Sequence, residues 1–202
     1  MYKKLFLSAL TVFSFQLLFA QQKALTGFPE GAVPREVGKR LAYHFIDGKH
    51  ELYDRYVHYA EVCAWNGALD YAINTNDDKL IGQLKAKFEP LFTYEKALLP
   101  PMNHVDYNMF GSLALKLYQI TKEERYLKLG LAYADSQWEL PKEAKPEQKT
   151  WAEKGFSWQT RLWIDDMYMI TVVQSEAYKV TGDRKYIDRA AKEMVLYLDE
   201  LQ

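Results

Sequence analysis

Three short segments share one pattern that constrains the fold of this 202-residue chain more than any other feature. Each has the form Thr-x-acid-x-x-apolar, and each stands where an apolar stretch gives way to a more polar one, at residues 75–80, 121–126 and 181–186. The oxygens of Thr and of the acid can accept hydrogen bonds from the free N–H groups that begin a helix. The pattern therefore predicts three tight turns, each joining one helix to the next.

Apolar residues recur with helical spacing along almost the whole chain, and the alternation typical of strands is absent. The spacing predicts helices at about residues 34–46, 53–74, 77–89, 106–120, 123–138, 164–180 and 184–201. Helices 106–120 and 164–180 are apolar nearly all round and should be buried, whereas helix 184–201 has a charged face. Hairpins of one buried and one exposed helix predict an all-α solenoid or toroid. A tetratricopeptide array is disfavoured, because the turns are unevenly spaced.

The first twenty residues have the pattern of a secretory signal peptide. Lys3 and Lys4 precede an apolar run that ends at Ala20 and is followed by polar residues. The run is too short and wrongly flanked for a membrane span, and the double Lys disfavours a buried N-terminal helix. We expect residues 1–20 to be removed and residues 21–202 to form one domain, secreted or periplasmic.

Charge and cysteine content disfavour several classes of function. Without Lys3 and Lys4, 24 basic residues face 27 acidic ones, a balance too mild to suggest nucleic acid or an anionic membrane as a partner. Cys63 is the only cysteine, and its apolar neighbours favour a buried structural thiol over a nucleophile. The four His are scattered and the acids lack the spacing of metal ligands, so we expect neither a metal nor another cofactor.

Carboxylates stand at the predicted starts of the two most apolar helices. Asp165 and Asp166 open helix 164–180, and Asp106 opens helix 106–120. A charge at the N-terminus of a buried helix is costly unless it is hydrogen-bonded or used chemically. These acids predict a carboxylate-lined pocket, although acids in a first helical turn also serve as simple caps.

Aromatic residues precede the acidic pair, at the end of a polar loop over residues 139–157. Trp158 and Trp163 could stack on the C–H faces of sugar rings, and packing in the core is the alternative for both. Four nearby polar residues have the chemistry to bind sugar oxygens or a substrate carboxylate, with a structural role as the alternative: His104, Asn108, Gln159 and Arg161.

Two segments resemble a family of glycoside hydrolases. Val105-Asp106-Tyr107-Asn108 and the segment Leu-Trp-Ile-Asp-Asp-Met-Tyr-Met at 162–169 are similar to motifs of the unsaturated rhamnogalacturonyl hydrolases, glycoside hydrolase family 105. That family is related to the unsaturated glucuronyl hydrolases of family 88. The resemblance spans most of residues 34–202. It implies an all-α barrel of six helical hairpins, an (α/α)6 fold, of which this chain would form about the N-terminal half.

The resemblance also implies a reaction. The substrate would be an oligosaccharide of the pectin or rhamnogalacturonan type, released by a polysaccharide lyase, with a 4,5-unsaturated uronic acid at its non-reducing end. By position, Asp165 matches the proton donor and Asp106 the assisting acid. The residues expected to bind substrate are Trp163, Trp158, Arg161, His104 and Asn108.

The length of the chain leads to a further expectation. The resemblance places the uronate-binding segment of the family in the other half of the barrel, so we expect residues 21–202 alone to be inactive and to self-associate through exposed apolar helix flanks. The alternative function is an exported, non-catalytic α-helical repeat module that binds a glycan or a protein.

Overall fold

The computed structural model of the protein describes residues 27–202, so the predicted signal peptide at 1–20 lies outside the described part. The chain divides into two compact units after Arg40. In the first unit, the Arg40 guanidinium donates a hydrogen bond to the carbonyl oxygen of Gly31 at 2.7 Å. Helix α1, Pro34–Asp47, begins in this unit. No helix among residues 27–202 has the length and apolar character needed to cross a bilayer.

The second unit, residues 41–202, is built mainly from helices. One small antiparallel hairpin pairs β1, Leu52–Tyr53, with β2, Tyr56–Val57. The helices that follow are α2, Tyr59–Thr75; α3, Asp78–Phe88; α4, Val105–Asn108; α5, Gly111–Thr121; α6, Glu124–Ser136; α7, Pro146–Glu153; α8, Ile164–Thr181; and α9, Arg184–Glu200. Two 3-10 turns, Glu89–Phe92 and Lys96–Leu98, lie between α3 and α4. The predicted all-α class is confirmed.

The long helices form three hairpins that pack side by side. Helix α2 packs on α3, α5 on α6, and α8 on α9, while α5 also contacts α2 and α8. The first members of the hairpins therefore form one layer and the second members another. Ion pairs join the outer layer, with Lys85 on Glu123 at 2.5 Å and Arg189 on Asp135 at 3.2 Å. This two-layer arrangement is consistent with an α/α toroid.

The three predicted turns share one backbone geometry. In each, the Thr hydroxyl donates to the carbonyl oxygen four residues earlier, at 2.7 to 2.9 Å, which closes the preceding helix. The following residue has a positive φ of 53°, 58° or 69°, the left-handed conformation that ends many helices. These residues are Asn76, Lys122 and Gly182.

The acid of each turn does not always cap the next helix. Asp77 accepts a hydrogen bond from the backbone N–H of Leu80 at 3.0 Å, and Asp183 accepts one from Lys185 at 2.9 Å. The Glu123 side chain caps nothing, and its carboxylate instead forms ion pairs with neighbouring cations. Capping by the acid is therefore confirmed at the turns of Asp77 and Asp183. At the turn of residues 121–126 the acid does not cap, but the Thr121 hydroxyl accepts from the Glu123 backbone N–H at 3.2 Å.

Two glycines let α5 and α6 approach closely. A Cβ on Gly111 would lie 2.4 Å from Cβ of Tyr133, and a Cβ on Gly130 would lie 2.4 Å from Cγ of Leu115. Residues 111–117 of α5 are all buried, as predicted for a helix that is apolar on every side. The two helices of the central hairpin therefore pack with their backbones close together.

Three element predictions need correction. The helix predicted at 106–120 is two helices, α4 and α5, with residues 109 and 110 between them. The helix predicted from residue 53 begins at Tyr59, because residues 52–57 form the β-hairpin. The polar loop predicted at 139–157 contains α7, which Pro146 begins at its first position, where its missing N–H is not needed.

Cys63 is exposed, so the prediction of a buried thiol is wrong. Helix α2 buries the face that carries Val62, Trp65 and Leu69, whereas Cys63 lies outside that face. Desolvation raises the pKa of the Cys63 thiol. The raised pKa keeps it protonated near neutral pH, unlike a reactive thiolate.

Candidate active site

The second unit contains a cleft of about 620 Å³ that is lined by two of the predicted carboxylate-bearing segments. We call it the main cleft. Its lining comes from the β1–β2 hairpin and the start of α2, from the residues that open α4, and from the residues before α8: Tyr53, His58, Tyr59, Asn103, His104, Asp106, Tyr107, Arg161 and Trp163. This volume lies within the range of about 300–1,000 Å³ typical of small-molecule sites.

Arg161 joins the two segments electrostatically. Its Nη2 donates to Oδ1 of Asp106 at 3.0 Å, and its Nε donates to both carboxylate oxygens of Asp166 at 3.1 and 3.0 Å. The guanidinium lies over the ring of Trp163, with Cζ 4.5 Å from the ring centroid, a cation–π arrangement. Hydrogen bonding to Asp166, and then the nearby negative charges, raise the pKa of Arg161. We call Arg161, Asp106, Asp166 and His104 the arginine cluster.

Asp166 has a larger role than the sequence indicated. Its side chain is fully buried, and it receives hydrogen bonds from Nε and Nη2 of Arg161 and, at 3.5 Å, from the hydroxyl of Tyr197. A buried carboxylate needs such partners. Asp166 therefore holds Arg161 in place, which goes beyond the interaction with the helix dipole expected for an acid in a first turn.

Asp165, the predicted proton donor, lies in the first turn of α8 and is exposed. It is not among the residues that line the main cleft. Its charge contributes to the raised pKa of Arg161, so it is electrostatically part of the same region. Its exposure leaves it reachable by a substrate, and its catalytic role stays a prediction.

Burial favours the neutral form of His104. Its Nδ1 accepts a hydrogen bond from the backbone N–H of Asp106 at 3.2 Å, and its Nε2 lies 3.3 Å from Nη1 of Arg161. Desolvation lowers the pKa of His104, and the positive charge of Arg161 lowers it further, against the opposing effect of Asp106. A neutral ring has one acceptor nitrogen, and in that role Nδ1 holds the backbone N–H at the start of α4.

Two residues predicted to bind substrate are buried in the core. Trp158 is 3% exposed and donates its indole N–H to the carbonyl oxygen of Ser136 at 2.7 Å. Asn108 is fully buried and donates to Oγ of Ser136 at 2.6 Å and to the carbonyl oxygen of Tyr133 at 3.0 Å. Neither lines the main cleft, and core packing describes Asn108. Trp158 also lines a second cleft that adjoins the main one, so its role in substrate binding stays a prediction.

The model of the family described as Glycosyl Hydrolase Family 88 matches residues 35–202. This chain belongs to glycosyl hydrolase family 88. Membership in this family supports a glycoside hydrolase activity on unsaturated uronates. The all-α hairpins of the chain agree with the six-hairpin toroid of the family. Neither the curated proteins nor the solved structures gave a match.

The cleft of this family 88 hydrolase has an aromatic wall that sequence reasoning missed. Tyr53 and His58 lie with ring centroids 5.5 Å apart, and His58 and Tyr59 lie 4.3 Å apart. Tyr107 meets the edge of Tyr56 at 5.5 Å. The density of aromatic residues over 53–59 was the available signal, and it was instead assigned to the start of a helix.

The segment that carries Arg161 is held by the outer helix α9. Glu193 is fully buried, where it accepts hydrogen bonds from the Ser157 backbone N–H at 3.0 Å and from the Thr160 hydroxyl. Desolvation raises the pKa of Glu193. These contacts fix the backbone that leads to Leu162, whose φ of 59° is left-handed and unfavourable for a side chain of this kind.

A second cleft of about 350 Å³ adjoins the main cleft in this family 88 hydrolase. The two share Asn103, His104, Arg161 and Trp163. The second cleft adds residues of α7 and of the segment before α8, including Lys145, Glu147, Gln148 and Gln159. Within residues 27–202, no group of three His, Cys, Asp or Glu side chains is placed to hold a metal ion.

Proposed function

We propose that this family 88 hydrolase removes a 4,5-unsaturated uronic acid from the non-reducing end of oligosaccharides that a polysaccharide lyase releases. The observation that carries the proposal is that Asp106, Arg161 and Trp163 meet at one cleft in a chain of this family. Substrates of the rhamnogalacturonan type are proposed from the resemblance of residues 105–108 and 162–169. The lysine pair and apolar run at 1–20 support export to the periplasm or beyond.

The proposed reaction hydrates the C4=C5 double bond and does not attack the anomeric carbon directly. The carboxyl group of Asp165 gives its proton to C4, which leaves positive charge on C5 and the ring oxygen. The resulting carboxylate then takes a proton from water as the water oxygen bonds to C5. The hemiketal at C5 opens by breaking its bond to the ring oxygen, and the leaving sugar departs from C1. The distance between two carboxylates therefore does not indicate the stereochemical outcome.

The remaining cleft residues have supporting roles in this proposal. Asp106 lines the main cleft and is fixed by Arg161 at 3.0 Å, so its free oxygen can orient water. Trp163 is 60% exposed even though Arg161 lies over its ring, which leaves aromatic surface for stacking on a pyranose. An acid that is positioned like Asp106 contributes about 10²–10⁴-fold to the rate.

The test measures loss of the ultraviolet absorbance of the double bond. The substrates are unsaturated disaccharides, one with rhamnose and one with an amino sugar after the unsaturated uronate. We expect residues 21–202 alone to be inactive, so the assay uses a protein in which they are joined to the rest of a six-hairpin barrel. In that complete barrel we expect turnover, preference for the rhamnose-containing substrate, and a loss of at least about 10²-fold in Asp165→Asn. The matched control is Asp183→Asn, because Asp183 is an exposed first-turn cap whose role an Asn side chain also fills.

Each result has a separate meaning. Lack of turnover of both substrates by the complete barrel refutes the proposed hydrolysis, and binding without turnover would favour the non-catalytic module. Preference for the amino-sugar substrate refutes only the rhamnogalacturonan specificity. Full activity in Asp165→Asn would show that Asp165 is not the proton donor.

A further inference from the structure

Gln159 is a buried side chain without a partner in a segment where the other polar side chains have one. It is 4% exposed, it lines the second cleft, and neither Nε2 nor Oε1 of its amide has a hydrogen-bond partner. A buried amide that has lost its hydrogen bonds to water and gained none destabilises the fold. Such a group calls for a specific explanation.

The surrounding segment is otherwise fixed. The Ser157 hydroxyl donates to the carbonyl oxygen of Gln137 at 2.9 Å and accepts from the Gln159 backbone N–H at 3.1 Å. Trp158, Thr160 and Arg161 also have partners for their side-chain donors. The backbone of Gln159 is therefore held in place while its amide is left unused. Held in this way, an amide is pre-organised for a ligand.

We propose that the second cleft binds the neutral sugar that follows the unsaturated uronate, and that Gln159 hydrogen-bonds the hydroxyl groups of that sugar. This inference rests on the proposed function and deepens it by naming a residue that determines specificity. One amide carries a donor and an acceptor side by side, which suits two neighbouring hydroxyl groups. The residues shared by the two clefts, Trp163 and Arg161 among them, place the second sugar next to the first.

The polar side chains of the second cleft suit the hydroxyl groups of a sugar. Lys145 and Glu147 carry opposite charges, and the charge of Arg161 is matched by Asp106 and Asp166. Three side-chain amides also line this cleft, those of Asn103, Gln148 and Gln159. Side-chain amides both donate and accept hydrogen bonds, which suits the hydroxyl groups of a neutral sugar.

The experiment compares two substrates that differ only in the leaving group. One is the unsaturated disaccharide, and the other is the methyl glycoside of the same unsaturated uronate, which has no second sugar. In Gln159→Leu, we expect kcat/KM for the disaccharide to fall roughly tenfold, while kcat/KM for the methyl glycoside stays within about twofold of wild type. The matched control is Gln83→Leu, because Gln83 also has an unpartnered side-chain oxygen but lines a depression that shares no residue with either cleft.

A second measurement does not depend on turnover. Methyl α-L-rhamnoside and methyl β-D-galactoside are titrated into the ¹⁵N-labelled wild-type chain, and the side-chain amide resonance of Gln159 should shift with at least one of them. If the complete barrel does not turn over either substrate, the proposed hydrolysis fails and this titration alone decides the inference. Equal losses on both substrates in Gln159→Leu, no loss on either, or no shift with either sugar would overturn it.

Discussion

The adjacent residues Asp165 and Asp166 should respond in opposite ways to the same substitution. Asp166 is fully buried against the Arg161 guanidinium, whereas Asp165 is exposed one position earlier in the same helical turn. Replacing either Asp with Asn removes one negative charge at almost the same place in the chain. We expect Asp166→Asn to lose stability and Asp165→Asn to lose activity.

The magnitude for Asp166 follows from its contacts. Removing one partner of a buried ion pair typically costs about 3–5 kcal/mol. Arg161 keeps its hydrogen bond to Asp106 at 3.0 Å and its side chain is 25% exposed, and Asn retains one acceptor oxygen. The expected cost is therefore about 2–3 kcal/mol. For a protein of this size, that lowers Tm by roughly 5–10 °C.

Thermal unfolding followed by far-ultraviolet circular dichroism checks both variants, with the absorbance assay run beside it. Asp165→Asn should lose less than about 1 kcal/mol, since an exposed acid in a first turn contributes mainly through the helix dipole. Equal Tm values in the two variants, or a larger fall in Asp165→Asn, would falsify the assignment of Asp166 as the buried anchor of Arg161.

Four further predictions concern activity, packing, backbone geometry and pH. Asp106→Asn should reduce turnover and shift its pH optimum with little change in Tm, because Asp106 is partly exposed; a change in Tm alone would show a structural role. Gly130→Ala should cost about 1–3 kcal/mol in urea unfolding, since its Cβ would overlap Leu115, whereas Gly82→Ala, in open space, should not destabilise. Gly182→Ala should lower the free energy of unfolding by about 1–2 kcal/mol, because residue 182 has a φ of 69°. An unchanged midpoint of urea unfolding would contradict this. Burial raises the pKa of Glu193 above its unfolded value near 4.5, so stability relative to Glu193→Gln should fall as pH rises above about 4.5; urea unfolding at several pH values tests the sign.

The sequence predicted the turns better than the positions of the helices around them. Thr75, Thr121 and Thr181 could be recognised because a Thr followed by an acid is a local capping signal, and local signals need no knowledge of packing. The break between α4 and α5 was missed because apolar residues continue through it. Hydrophobic spacing reports burial, and residues 109 and 110 are as buried as the helices on either side.

Local sequence patterns predicted only part of the candidate site. Asp106 and Arg161 are 55 residues apart, and their hydrogen bond depends on the packing of α4 against α8. The burial of Asp166 and the exposure of Asp165 depend on which side of α8 faces α9, and two adjacent acids in one sequence look alike. Aromatic residues suit both clefts and cores, so the sequence alone could not show that Trp158 is buried and at the same time lines the second cleft.

The hydrogen bonds between α9 and the segment before α8 affect the order in which the parts of the site can assemble. Thr160 lies 33 residues before Glu193 in the chain, so the segment leaves the ribosome before the helix that fixes it. Until α9 docks, Leu162 has little to maintain its left-handed backbone, and Arg161 has no fixed approach to Asp106. The cleft is therefore expected to form late in synthesis, after the surrounding hairpins have packed, and a nascent chain that stops before residue 190 should hold α5 and α6 together but lack an ordered cleft.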